Sequence, residues 1–253
     1  MHPSFLGAAG ITAALLSWGS FLNMVGSRLL RGESFFGRSH CPECGATIAT
    51  RDLIPFFSWL WLKGHCRSCG QPISWLYPFI EIATLLIFTA IIIKVNPTYW
   101  FSYFILSSAL LITVRMDLEA MLVSSWTTLY IAPIGLACAY TEILPLTTLN
   151  SLAGAISGYS FLWIVRYLFF KITKKEGMGL GDVELLAGLG AFFGLPGWWH
   201  ILMIATTVGS IVGIGFLIIN KRTAAEIKFA FCPFLALGAW IYLFFSHLSF
   251  WNF

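Results

Sequence analysis

Asp182 stands in the run Gly179-Leu180-Gly181-Asp182 at the mouth of one apolar stretch, and Asp117 closes another. Only 11 of the 253 residues are acidic, so carboxylates at the ends of apolar segments carry information. Holding an ionised side chain at the centre of a bilayer costs on the order of 3 kcal/mol, which makes such groups functional candidates by default. Two carboxyls brought to one site share a single proton near neutral pH; one can then activate water while the other protonates a carbonyl or leaving group. Gly179 and Gly181 remove side chains beside Asp182, permit unusual backbone angles and let an extended substrate come close. Asp182 also opens a helix, whose N-terminus suits an anion, so we assign the base to Asp182 and the acid to Asp117. The competing structural reading is an N-cap at Asp182 and an ordinary polar residue at Asp117, because a lone Gly-x-Gly-Asp is a weak signal.

A second constellation is metal-like. Cys41-Pro42-Glu43-Cys44-Gly45 and Cys66-Arg67-Ser68-Cys69-Gly70 are two C-x-x-C turns separated by 21 residues, slightly beyond the usual structural-zinc interval. Each turn aims two thiolates at one point, and Cys41, Cys44, Cys66 and Cys69 complete a closed tetrahedral zinc site with no open position for catalysis. Two disulfides or a redox pair compete with this reading, but a strongly basic loop is expected in the cytoplasm, where disulfides are rare. His40 and His65 each precede a knuckle cysteine and are alternative ligands. Cys138 and Cys232 lie in apolar runs, where packing is the expected role.

The elements that must position these groups follow from composition. With 58% hydrophobic and 10% charged residues, the chain reads as an all-α, polytopic integral membrane bundle. Apolar runs at 5–24, 77–93, 100–116, 124–140, 152–170, 183–193, 198–219 and 229–245 give about eight spans, the sixth short enough to be re-entrant. The first lacks a basic leader and a small-x-small cleavage site, so it is read as a retained span. The expected organisation is a first span over 1–25, a small cytoplasmic zinc-knuckle loop over 26–76 and a membrane core over 77–253. If all eight runs cross, thirteen of the 15 Lys and Arg, among them Arg115, Lys221, Arg222 and Lys228, face the cytoplasm. That places the N-terminus outside and both aspartates at the cytoplasmic interface. The net charge of +4 is then explained by topology and anionic lipid headgroups, and needs no nucleic-acid partner.

Several ordered stretches resemble the bacterial type IV prepilin peptidases, the aspartic membrane proteases that double as N-methyltransferases. They include Gly19-Ser20-Phe21-Leu22-Asn23, Gly37-Arg38-Ser39-His40 with the first knuckle, and Asp52-Leu53-Ile54-Pro55 with Ser58-Trp59-Leu60. Tyr77-Pro78-Phe79-Ile80-Glu81, Asp117-Leu118, the Gly179–Asp182 run and Pro233-Phe234-Leu235 continue the series. The resemblance implies Asp117 and Asp182 as the catalytic pair and the four cysteines as a zinc module. It also implies cleavage of a basic leader after glycine, at the cytoplasmic face of the inner membrane, from prepilins or pseudopilins of type IV pili and type II secretion. Methylation of the new N-terminus from S-adenosylmethionine is likewise implied by the resemblance alone. The chain departs from the family pattern at Glu119, at Val123-Ser124-Ser125, at Glu184 where Lys is common and at Cys232 where Gly is usual.

Glu81, one turn into the second run, could meet the basic leader or tune the shared proton, or simply be a satisfied polar group at a helix end. Arg115 could hold a substrate carboxylate, but a topology anchor is the simpler role. Glu119 and Glu184 lie two residues beyond the aspartates and point elsewhere on a helix. Small residues over 187–191 imply close packing around the Asp182 helix. A different functional class remains open: a transporter or metal-responsive membrane protein whose carboxylates carry protons or a cation. Nothing in the sequence fixes an oligomeric state.

Overall fold

The structure of the chain is a computed structural model that describes residues 5–220 and 230–245. Lys221, Arg222 and Lys228, used above to orient the chain, lie outside the described residues. Among the described residues every regular element is helical, apart from two isolated bridges. Helices over Gly7–Arg31, Leu76–Lys94, Pro97–Ala120, Thr148–Thr173 and Leu180–Ile219 are long and apolar enough to cross a membrane, and the chain is an integral membrane protein.

The expected eight runs map unevenly onto helices. Run 124–140 divides into α5 (Ser125–Thr128) and α6 (Ile131–Tyr140), and the latter's ten residues rise only about 15 Å, half the hydrocarbon thickness. The sixth and seventh runs are successive arms of α8 (Leu180–Asn220), and the last run forms α9 (Cys232–Phe245), of 14 residues. Five helices therefore reach spanning length among the described residues, and length alone does not supply the remaining crossings.

The chain divides into two compact units, Met1–Ala90 and Ile91–Phe253. In the first, α1 (Phe5–Arg31) and α3 (Leu76–Lys94) approach closely because of Gly19, where a Cβ would lie 2.8 Å from the Glu81 Cα. Asn23, fully buried, donates to the Tyr77 carbonyl at 2.9 Å. Arg28, in the last turn of α1, is buried and donates to the carbonyls of Ser34, Gly37 and Arg38, and so shapes the start of the loop. Within that loop lies the short α2 (Phe57–Trp61).

The second unit is built around the first arm of α8, residues 180–193. Val183, Leu185, Leu186, Leu189 and Phe192 are all fully buried, which explains why this arm is apolar on every side: α6, α7 (Thr148–Thr173) and α9 pack around it. The α7 contact is backbone to backbone. A Cβ on Gly154 would lie 2.2 Å from the Gly190 carbonyl oxygen, and Ser151 donates to the Ala191 carbonyl at 2.6 Å. The small-residue expectation for 187–191 is thus met. The arm ends at Gly194, whose φ of 72° breaks the helix, and the Asn150 side chain caps the restart by accepting from the Leu195 N–H at 3.0 Å. Beyond it, Ile211, Ile214 and Ile218 are exposed, as a lipid-facing surface requires.

Candidate active site

Asp117 lies in the last turn of α4 (Trp100–Ala120), which stops at Met121 in the left-handed conformation. Asp182 lies in the first turn of α8, the helix start anticipated from the sequence. The two meet at Cys232, the first residue of α9. Its N–H donates to Asp117 Oδ2 at 3.2 Å and its thiol donates to Asp182 Oδ1 at 3.0 Å. Asp117 is buried and Asp182 half-buried, so the site opens on the Asp182 side.

Cys232 corrects the sequence reading. It is 1% exposed, as a packing residue would be, yet it contacts both carboxylates. Its position before Pro233, where a helix starts with unpaired N–H groups, was the available signal. Cys138 is buried in α6 as expected.

The glycines serve space rather than unusual angles: neither Gly179 nor Gly181 has a positive φ. A Cβ on Gly181 would lie 3.0 Å from that of Val123, so this glycine seats the Asp182 turn on the segment following Asp117. Gly179 is exposed, with Asp182 Oδ2 3.7 Å from where its Cβ would be, and its N–H also donates to that carboxyl. The departures from the family pattern fit locally. Ser124 caps α5 through the Trp126 N–H, and Glu184 accepts from the Thr128 hydroxyl at 2.6 Å, tying α5 to α8. Glu119 pairs with the buried Arg115 one turn back. Arg166, on α7, donates to the Met178 carbonyl at 3.1 Å and pairs with Glu176 at 3.7 Å. It thereby anchors the loop that leads into Gly179.

Glu81 belongs to the first unit. It is buried and accepts from the Phe56 N–H at 2.7 Å and from the Ser20 hydroxyl. Phe56 (φ 62°, ψ −53°) is the centre of a tight turn in which the Phe57 N–H donates to the Pro55 carbonyl at 2.6 Å, a backbone shape that is rare and strained. Glu81 is the side chain that holds it.

The four knuckle sulfurs lie within 4.8 Å of one another, and those of Cys41 and Cys69 are 3.9 Å apart. Tetrahedral zinc at about 2.3 Å from each sulfur sets them about 3.8 Å apart, so the cluster fits that metal. The two turns are copies: Gly45 and Gly70, at φ 70° and 71°, donate their N–H groups to the Cys41 and Cys66 carbonyls, each at 2.9 Å. Amides of Cys69 and Ser68 aimed at the Cys66 sulfur hold its thiol down at about 7. The histidines are otherwise engaged. His65 Nδ1 bonds the Lys63 carbonyl at 2.6 Å, and His40 faces Glu33 at 3.7 Å. Arg67, between the ligands of the second knuckle, grips Asp52 with two bonds of 2.8 and 2.6 Å and holds that carboxyl below the usual range.

Residues 14–95 match the bacterial peptidase A24 N-terminal domain, and residues 104–218 match the type IV leader peptidase family. The chain is similar to a prepilin leader peptidase/N-methyltransferase of Xanthomonas campestris pv. campestris, 35% identical over 97% of this chain and 93% of the relative. It is also similar to proteins of that name from Aeromonas hydrophila, 35% identical over 81% of this chain and 71% of the relative, and Pectobacterium carotovorum, 33% identical over 92% and 91%. No solved structure matches. With helices of spanning length, a metal-competent cysteine cluster and kinship across nearly its whole length, the chain belongs to the type IV leader peptidase family.

Proposed function

We propose that this protein is an aspartic endopeptidase of the inner membrane that removes the leader from type IV prepilins or pseudopilins after a glycine, at the cytoplasmic face. The observation that carries the reading is Cys232 in contact with both carboxylates, which makes one site of two distant helices. In this mechanism Asp182, at a helix N-terminus, takes the proton from a water that attacks the scissile carbonyl. Asp117 protonates the carbonyl oxygen; as the diol collapses, Asp182 hands its proton to the leaving amine and Asp117 takes one back from a diol hydroxyl. The substrate junction unwinds beforehand, since a regular helix keeps its carbonyls in its own hydrogen bonds. Gly179 offers an exposed backbone edge for the unwound strand, and Glu81 supports the enzyme through the Phe56 turn.

Zinc, held by Cys41, Cys44, Cys66 and Cys69, is structural in this proposal: it supplies folding free energy to the 26–76 loop and leaves the chemistry to the 77–253 core. The relatives' name supports a second step, methylation of the new N-terminus. The donor would be S-adenosylmethionine, which supplies an electrophilic methyl group to the free amine. Among the described residues no strand forms, so helices and loops would have to hold it. Membership in a peptidase family weighs against the transporter or metal-responsive reading.

The test is cleavage of a prepilin by Asp117→Asn and Asp182→Asn variants in membranes. Each is expected to lose about 100-fold or more in rate, the scale of a lost general acid or base. Full cleavage by either folded variant would overturn the assignment.

A further inference from the structure

The contacts at the start of α9 go beyond naming a catalytic pair, and on that reading of Asp117 and Asp182 the present inference rests. We propose that Cys232 is a positioning residue that fixes the two carboxylates relative to each other through its backbone N–H and its thiol.

As the first residue of α9, Cys232 has an N–H without an acceptor inside its own helix, and this N–H goes to Asp117 Oδ2 at 3.2 Å. Its thiol reaches Asp182 Oδ1 at 3.0 Å and lies within hydrogen-bonding range of Asp117 as well. Three bonds separate the amide nitrogen from the sulfur, so α4, α8 and α9 are tied at one nearly rigid point. Cys232 engages Asp117 Oδ2 and Asp182 Oδ1, and the Gly179 N–H is a further donor to the Asp182 carboxyl. Asp182 Oδ2 is the oxygen beside exposed Gly179, where a substrate strand has access. Where the family pattern has glycine, the amide alone can act. In this chain the thiol adds a second hold, with 1% of the residue exposed.

The discriminating experiment measures kcat and KM for cleavage of a purified prepilin in proteoliposomes carrying Cys232→Ser, Cys232→Ala or Cys232→Gly enzyme. Serine keeps a donor at the same place and is expected to stay within about two-fold of the parent kcat, while alanine and glycine lower kcat about five-fold, the scale of one weak hydrogen bond, with KM unchanged. A packing role alone would not be rescued by the more polar serine and would not separate kcat from KM. Parent kcat in folded Cys232→Ala or Cys232→Gly enzyme overturns the proposal. If neither apolar variant folds, the serine variant decides: parent kcat supports the donor role and a five-fold loss overturns it. Asn variants of the aspartates, run in parallel, separate the two levels. Cleavage surviving Asp117→Asn or Asp182→Asn sinks the catalytic pair and this inference with it; dead Asn variants beside a fully active Cys232→Ala sink this inference alone.

Discussion

Arg166 shows how a charge inside an apolar run acquires a task that its own neighbours do not announce. Its guanidinium grips the Met178 carbonyl and Glu176, while Gly177 lies so close to Phe169 that a Cβ there would come within 2.4 Å of the ring. The loop before Gly179 is therefore seated on α7 at two points. Arg166→Ala is expected to lower kcat/KM for a prepilin about ten-fold, the scale of a lost hydrogen bond from a charged group, and to open residues 174–179 to proteolysis. Unchanged kinetics would deny the loop a part in presenting Asp182. At this scale legibility depended on residue type. Asp117, Asp182 and the four cysteines stood out because their chemistry is specific and, for the cysteines, their spacing too. Cys232 and Arg166 did not, because their roles arise from contacts 115 and 12 residues away along the chain, the first made partly by a backbone amide.

Helix packing gives predictions of opposite sign for the same substitution. Gly154→Ala would drive a methyl group into the Gly190 carbonyl across the α7–α8 contact, where the obstructing atom belongs to backbone. A destabilisation of about 1–3 kcal/mol or more is expected, seen as a lowered Tm in detergent. Gly213→Ala, on the second arm of α8 with nothing within 4 Å of its Cβ, is expected to be neutral or to stabilise by about 0.5–1 kcal/mol through backbone entropy. Equal effects at both sites would mean that the α7–α8 approach is not as close as described. The same contacts explain what the sequence could and could not say about elements. Among the described residues, hydropathy located the helices of the membrane core, since lipid and buried arms alike demand apolar residues. It did not show that runs six and seven join at Gly194 under the Asn150 cap, nor that the 124–140 run divides after the α5 turn. Those outcomes depend on a side chain from another helix and on local turn geometry, which apolar content does not encode.

At the scale of the whole molecule, the metal is expected to matter to one unit and not to the other. The segment between α1 and α3 has little regular structure beyond α2 and a single 3-10 turn at Thr50–Leu53. Its order rests on the two knuckles, on Arg28, on the Glu81-held turn and on the Arg67–Asp52 pair. Stripping metal with a chelator should therefore open residues 32–75 to protease while α4 to α9 resist, with far-ultraviolet circular dichroism nearly unchanged because so few helical residues are at stake. Digestion spread through the core would show instead that the metal supports the whole fold. Asp52→Asn refines the point. Arg67 keeps Asp52 below the usual carboxylate range, so the pair stays ionised at any pH where four thiolates can hold a metal. Removing that charge leaves Arg67, beside Cys66, without its anchor. Metal affinity is expected to fall about ten-fold, the lower end of the effect of groups that brace ligands from outside the coordination sphere, measured by competition with a chromogenic chelator. Affinity equal to the parent would assign the bracing to the knuckle amides alone, because the Cys69 and Ser68 N–H groups reach the Cys66 sulfur without help from Asp52.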